Sequence, residues 1–280
     1  MVLSSIPAWR PPTEYLFIDG GCLRATVQGI SKRYLGQPDG VAVSFPELRR
    51  EFAKVFYYDA VPAQDHKEER EAWIERIRPQ TDEFAKIRAL AGFHVQLGDL
   101  RGRAGNQRQK RVDVQIAVDM LLHTFRQNME RCTLLAGDVD FQPLIEALIR
   151  EGMFVDVWHP PQASPALLDA ADGRTPLTAR FLGAALQRAN GRPLLARSFE
   201  GVRPKAPADL RHHWGDGEYA YDLRYDHEGY WLLERYVAAF AGRTLQIRDP
   251  SLRIVIETSR DIAGVEPDET VKELVAANPG

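Results

Sequence analysis

Four aspartates in this chain fall where a polypeptide can present them together. Asp19 follows the apolar run Tyr15 to Ile18, Asp138 follows the apolar run Cys132 to Ala136, and Asp140 comes two residues later. Asp113 opens the apolar-periodic stretch Val112 to Phe125 that precedes the second run. Carboxylates brought into one cleft repel, and each is driven toward protonation unless a cation neutralises them. Magnesium or manganese suits hard oxygen ligands, keeps several waters and shares its remaining positions between carboxylates and substrate phosphate. Such an ion activates water and stabilises charge building on phosphorus, so the chemistry implied is phosphodiester hydrolysis. Asp19, Asp113 and Asp138 are the candidate metal ligands, with Asp140 as a further ligand or as the base that orients water. An aspartate at a strand-to-helix junction is also an ordinary helix N-cap, and Asp-Gly an ordinary turn. That structural reading competes for any single position and weakens when three acids fall on one edge. Asp119 stands outside the set. Six residues past Asp113, it is rotated by about 600° and does not share its helix face, so it supports the ligands from behind or acts as a cap.

These positions need a scaffold that brings distant segments to one edge. Buried strands are expected at Tyr15 to Ile18, Val55 to Tyr58, Phe93 to Leu97, Cys132 to Ala136 and Met153 to Trp158. Helices are expected over the charged stretch Asp65 to Arg78, over Val112 to Phe125 and over Phe141 to Arg150, where Leu144, Ile145, Leu148 and Ile149 face inward. This alternation predicts an α/β fold, a doubly wound and mostly parallel sheet flanked by helices. Ligands in such sheets bind beyond the carboxyl ends of the strands. One or two closing helices are expected over Ser164 to Asp172 and Leu177 to Arg188, and Gly191-Arg192-Pro193 marks a boundary. Beyond it, Tyr219 to Tyr225 alternates as a strand, Trp231 to Ala241 suggests a helix, and Leu245 to Ile247 and Arg253 to Glu257 suggest strands. The organisation predicted is an N-terminal extension over 1–13, a first domain over 14–190 and a small α+β domain of unknown role over 195–280.

Composition narrows the class. The chain has 280 residues, 44% hydrophobic and 27% charged, with a formal net charge of -3. It is neither a disordered nor a membrane composition. No apolar run approaches the ~18 residues of a membrane span, and the opening segment lacks signal-peptide features, so a cytoplasmic protein is expected. Two cysteines, Cys22 and Cys132, make no zinc spacing and are expected to be reduced thiols. The net charge argues against whole-surface nucleic-acid binding, so contact with a polyanion has to be local. A local source lies between Gly98 and Asp113, where Arg101, Arg103, Arg108, Lys110 and Arg111 stand against Asp99 alone. Guanidinium forks pair with phosphate oxygens and would offset the repulsion of an acidic site; a solvated loop is the competing reading.

Taken in order, three motifs resemble the NYN domain in its LabA-like bacterial branch. They are Phe17-Ile18-Asp19-Gly20, Gln109-Lys110-Arg111-Val112-Asp113 and Gly137-Asp138-Val139-Asp140-Phe141-Gln142-Pro143-Leu144-Ile145. The similarity extends to Tyr57-Tyr58-Asp59-Ala60 and to Ser164 through Asp172, and covers roughly residues 14 to 185. It implies a PIN-like fold and a metal-dependent endoribonuclease, with the family's acidic positions on Asp19, Asp113, Asp138 and Asp140. Two departures stand out: Cys22 where the family usually has asparagine, and Arg111 where it has glycine. A thiol lacks the paired donor and acceptor of an amide, which bears on the rate more than on the fold. Cys22 is therefore placed beside the ligands rather than among them.

Trp214, Tyr219, Tyr221, Tyr225, Tyr230 and Trp231 are dense enough for a base-stacking platform, but aromatics alternating on a strand are what a small core needs. His212, His213 and His227 lack ligand spacing, and Gly20-Gly21 lacks the rest of a dinucleotide fingerprint. The reading reached is a metal-dependent nuclease acting on RNA, single-stranded by preference, with magnesium or manganese. The C-terminal domain is a candidate surface for a protein partner, homo-oligomers are compatible, and no membrane is involved. The alternatives are a nucleic-acid-binding or docking module with little or no turnover, and a DNA-directed PIN-like nuclease.

Overall fold

The computed structural model describes residues 10–65, 67–98, 109–199, 208–237 and 243–278, and at 109–111, 199 and 243 the backbone path alone. The chain forms two compact units, Met1–Ala25 with Phe45–Leu177, and Thr26–Ser44 with Thr178–Gly280. Along the first unit run β1 (Glu14–Asp19) and the start of α1 (Gly20–Leu35). The short strand β2 (Val41–Val43) belongs to the second unit. The first then resumes with α2 (Phe45–Arg49), β3 (Lys54–Asp59), α3 (Arg70–Arg88), β4 (Phe93–Leu97), α4 (Gln109–Phe125) and β5 (Arg131–Leu135). A 3-10 turn (Val139–Phe141), α5 (Gln142–Arg150), β6 (Phe154–His159), α6 (Pro165–Asp169) and β7 (Gly173–Pro176) complete it.

The six strands of this unit form one sheet in the order β4-β3-β1-β5-β6-β7. Every pairing in it is parallel. Parallel strands need crossovers, and the crossovers cover both faces, which is why β1 and β3 read as unbroken apolar runs rather than alternating ones. On one face Tyr15, Phe17, Phe56 and Tyr58 pack with Ile116 and Met120 of α4 and with Leu144, Ile145 and Leu148 of α5. On the other, Tyr57 meets Phe84 of α3 at 6.1 Å between ring centres. The chain adds β3 and β4 outward on one side of β1, then returns to lay β5 on the other. The reversal falls between β1 and β5, where doubly wound sheets open a crevice at their carboxyl edge.

The second unit begins with α7 (Ala179–Leu182), a 3-10 turn (Gly183–Ala185) and β8 (Leu186–Arg188), which pairs antiparallel with β2. Strands β9 (Arg197–Phe199), β10 (Ala208–Gly215), β11 (Tyr219–Asp226), β12 (Trp231–Val237) and β13 (Arg243–Asp249) follow, then α8 (Leu252–Ala263) and α9 (Glu269–Ala277). The five strands form an antiparallel sheet ordered β10-β11-β12-β13-β9. Its core holds Trp214, Tyr221, Leu223, Leu233 and Ile247 against Val255 and Ile256 of α8. This is the α+β architecture expected of the second unit, as the α/β sheet is of the first. Among the described residues no helix is long and apolar enough to cross a membrane.

Several local expectations differ from what forms. Trp231–Val237 is a strand, not a helix, because it is hydrogen-bonded on both sides and buried on both faces, which erases the period-two signal. Arg253 to Glu257, β-branched enough to suggest a strand, lies in α8, whose Leu252, Val255, Ile256 and Ser259 turn inward at helical spacing. The helix expected from Asp65 starts at Arg70 and runs through Pro79 to Arg88, held by the buried Ile77, Phe84 and Ile87. Leu177 to Arg188 shortens to one helical turn ended at Gly183, where φ is 51°. Strand β7 escaped the sequence reading. The unit division falls at Leu177 and Thr178 rather than near residue 190, and Gly191-Arg192-Pro193 lies within the second unit.

Candidate active site

The carboxyl edge at the β1–β5 reversal is built from three separate stretches of chain. Asp19 is the last residue of β1, beside Tyr58 of β3, while its neighbour Ile18 lies beside Leu135 at the end of β5. Three residues past that end stands Asp138. Asp113 lies in the second turn of α4, the crossover from β4 to β5, so its turn of helix starts from the same edge. Helix α4 begins at Gln109, so Lys110 and Arg111 belong to its first turn and not to a loop. Arg101, Arg103 and Arg108 lie outside the described residues.

Asp19 is 9% exposed. Its Oδ1 accepts hydrogen bonds from the backbone N–H groups of Gly21 (2.9 Å) and Cys22 (3.2 Å), so it does cap α1. Oδ2 takes no hydrogen bond from any described residue and is left for another partner. Asp138 likewise caps the 3-10 turn through Oδ1, which accepts from the N–H of Asp140 at 3.0 Å. The cap reading and the functional one are thus not exclusive, since capping occupies one oxygen and holds the other in place.

Electrostatics tie the four acids together. Asp113 is pushed up to about 6, first by burial and then by the charges of Asp19, Asp138 and Asp140. Asp19 is raised chiefly by burial, with Asp59 and Asp138 adding to it and the two N–H donors working against it. Asp119 takes no part. Both of its oxygens are occupied, Oδ2 by the Tyr58 hydroxyl and Oδ1 by the Gln115 amide, each at 2.9 Å, so it fastens α4 onto β3. Cys22 contributes its backbone N–H to Asp19, and neither cysteine is in a disulfide.

Asp59 is a site residue that the sequence reading passed over. It ends β3 as Asp19 ends β1, is 4% exposed, and adds its charge to that of Asp19. Arg24 of α1 grips it with Nη2 at 2.8 Å from each oxygen, while the Tyr57 hydroxyl (3.0 Å) and the Ala60 N–H (2.7 Å) complete its shell. The available signal was its place in Tyr57-Tyr58-Asp59-Ala60. Gly20 makes this packing possible, because a Cβ there would come within 2.6 Å of the Tyr57 hydroxyl and 2.7 Å of Asp59 Oδ2. Gly137 plays a matching part before Asp138, where a Cβ would meet Pro160 at 2.7 Å.

A parallel sheet with acids gathered at its reversal point defines the class: an α/β protein of the PIN-like nuclease kind. Residues 15–178 match the NYN domain, and the chain belongs to that family. Nuclease chemistry is therefore its class of activity. Among solved structures, a protein of unknown function from Vibrio parahaemolyticus is similar over 60% of this chain and 93% of its own length, at 19% identity and a TM-score of 0.42. No curated protein matches the chain.

Proposed function

We propose that the first unit is a metal-dependent endoribonuclease of the LabA-like kind, cutting single-stranded RNA with water as nucleophile, with cytoplasmic RNA as its substrate. One observation carries the reading: Asp19, Asp113 and Asp138 come from three separate segments to one carboxyl edge, where burial first and then the charges of Asp19, Asp138 and Asp140 push Asp113 up to about 6, a strain on the charged forms that a bound cation would relieve. The donor set is carboxylate oxygen throughout, which suits magnesium or manganese. Among the described residues no three acidic, histidine or cysteine groups stand close enough to enclose an ion with their own atoms. An ion that keeps several of its waters fits such an edge, reaching some carboxylates through them.

Asp19, Asp113 and Asp138 would hold the ion, and Asp140, the most exposed of the four, would hold it or orient the attacking water. When bound, the ion supplies Lewis acidity to water and to the phosphate. The chain's part is to fix the donors: capping bonds lock one oxygen of Asp19 and of Asp138, and Arg24 neutralises Asp59 so that it does not compete for the ion. Lys110 and Arg111 in the first turn of α4, with Arg101, Arg103 and Arg108 before it, would pair with the RNA backbone. The second unit would carry contacts to a partner protein or to another copy.

Purified protein with magnesium or manganese is expected to cut single-stranded RNA in preference to single-stranded or flap DNA, and Asp138→Asn to lose at least ~100-fold in rate, as expected when a group that orders the reacting centre is removed. Intact RNA after incubation with the parent, or equal cutting by Asp138→Asn, overturns the proposal. Binding without cleavage would instead make the domain a docking module, for which Cys22 in place of asparagine is the specific observation.

A further inference from the structure

The second unit holds a cavity of about 330 Å³ whose wall includes Arg188, Arg192, Arg197, Arg248 and Tyr230. Four guanidinium groups on one cavity are costly to gather, and the local fold shows how they are held. Arg188 ends β8 and Arg192 follows across a tight turn through Asn190-Gly191, in which Gly191 has φ 74° and the Arg188 carbonyl accepts from its N–H. Arg197 on β9 lies directly opposite Arg248 on β13. Like charges placed directly across a ladder destabilise a sheet unless something of opposite sign sits between them.

Carboxylates neutralise only half of this set. Arg188 grips Asp249 through both terminal nitrogens, at 3.1 and 2.6 Å, and its buried Nε–H has no acceptor. Arg248 donates through Nε and Nη2 to Asp226, at 2.8 and 2.5 Å, and through Nη2 to Glu228, while its Nη1 reaches no described acceptor. Arg192 and Arg197 are exposed and pair with no carboxylate among the described residues. Arg188, whose Nη2 also donates to the Leu194 carbonyl, and Arg248 are thus anchored, while Arg192 and Arg197 have no carboxylate among the described residues. The Arg248 guanidinium also lies over the Tyr230 ring, 4.0 Å from its centre, giving the cavity one flat wall.

We propose that this cavity binds the phosphate of a nucleotide, with the base against the Tyr230–Arg248 stack. Forked donors in this number match phosphate oxygens, which accept two at a time. A flat ring bearing a guanidinium suits a base face. The volume lies at the small end of small-molecule sites, which fits one nucleotide, either free or at the end of an RNA strand. The inference goes beyond the nuclease reading and does not depend on it.

The test is calorimetric titration of the full chain in chelator, where the metal-free acidic edge of the first unit repels phosphate. Probes are AMP, adenosine, and an RNA tetramer with or without a 5′-phosphate. AMP, the phosphorylated tetramer or both should bind at least ~10-fold more tightly than their unphosphorylated counterparts, with an advantage that shrinks as salt rises. Arg192→Gln combined with Arg197→Gln, both at exposed positions, should melt like the parent and lose at least ~10-fold in that binding, the scale of a charged hydrogen bond. Stronger binding of the tetramer identifies an RNA end as the source; binding of AMP alone identifies a free nucleotide. The proposal fails if neither phosphorylated probe outbinds its counterpart, or if the folded double variant binds as the parent does.

Discussion

Replacing Asp113 by asparagine removes one charge from the acidic edge while keeping the side chain's shape. In the folded protein this carboxyl is pushed up to about 6 from an ordinary 3.8. At full strength that difference is worth about 3 kcal/mol, and for a half-exposed group solvent screening reduces it to ~1.5 kcal/mol. Because the folded form holds the proton more tightly, folding carries no penalty from this group below about pH 4. The penalty grows from there to about pH 6 and persists above it. Asp113→Asn should therefore melt with the parent at low pH and above it at pH 7.5 in chelator, by ~3 to 6 °C for a domain of this size. Magnesium should reverse the order, since a ligand that binds only the folded state stabilises in proportion to its occupancy, and the variant binds it less well. Melting curves between pH 4 and 8, with chelator or with magnesium, test this. The same separation at every pH, or the same gain from magnesium in both proteins, would refute the account of Asp113 as a carboxyl held up by burial and by its acidic neighbours.

Arg24→Ala leaves Asp59 buried without its cation and should cost about 3 kcal/mol, read as a shift in the urea midpoint. Gly20→Ala forces a methyl group against Tyr57 and Asp59 and should cost ~1 to 3 kcal/mol in the same measurement. Tyr58→Phe unties Asp119 from β3 and should cost about 1 kcal/mol while leaving cleavage of RNA by the magnesium-loaded protein within about twofold, which separates Asp119 from the acids at the edge.

The first unit was legible because its signals are local and agree with one another. Apolar runs ending in Asp19 and Asp138 gave the strands and their carboxyl ends, and alternation with helices gave the parallel sheet. Asp59 was harder to assign, because its pairing with Arg24 depends on how α1 lies beside β3, a tertiary fact with no mark at either residue. The second unit was read less well where burial on both faces hides periodicity, as in β12, and where β-branched residues serve a helix, as in α8. The core reading of its aromatics holds for Trp214 and Tyr221, which are buried. The cation-π contacts of this unit were invisible along the chain, because only the folded sheet sets Arg235 over Tyr219 and Arg248 over Tyr230.

The order of strands also sets when the acidic edge can come into being. Tyr15 of β1 lies beside Cys132 of β5, so the two halves of the crevice are made far apart in time during synthesis. A growing chain released only as far as Leu97 can pair β1, β3 and β4, leaving one side of β1 open as an unpaired edge. Until β5 and the Gly137-Asp138 turn emerge, Asp19 has no Asp138 to face. Pairings this distant also close slowly once the chain is free. The topology therefore acts as a delay: whatever chemistry the edge performs is withheld until β5 and the turn that follows it have been made.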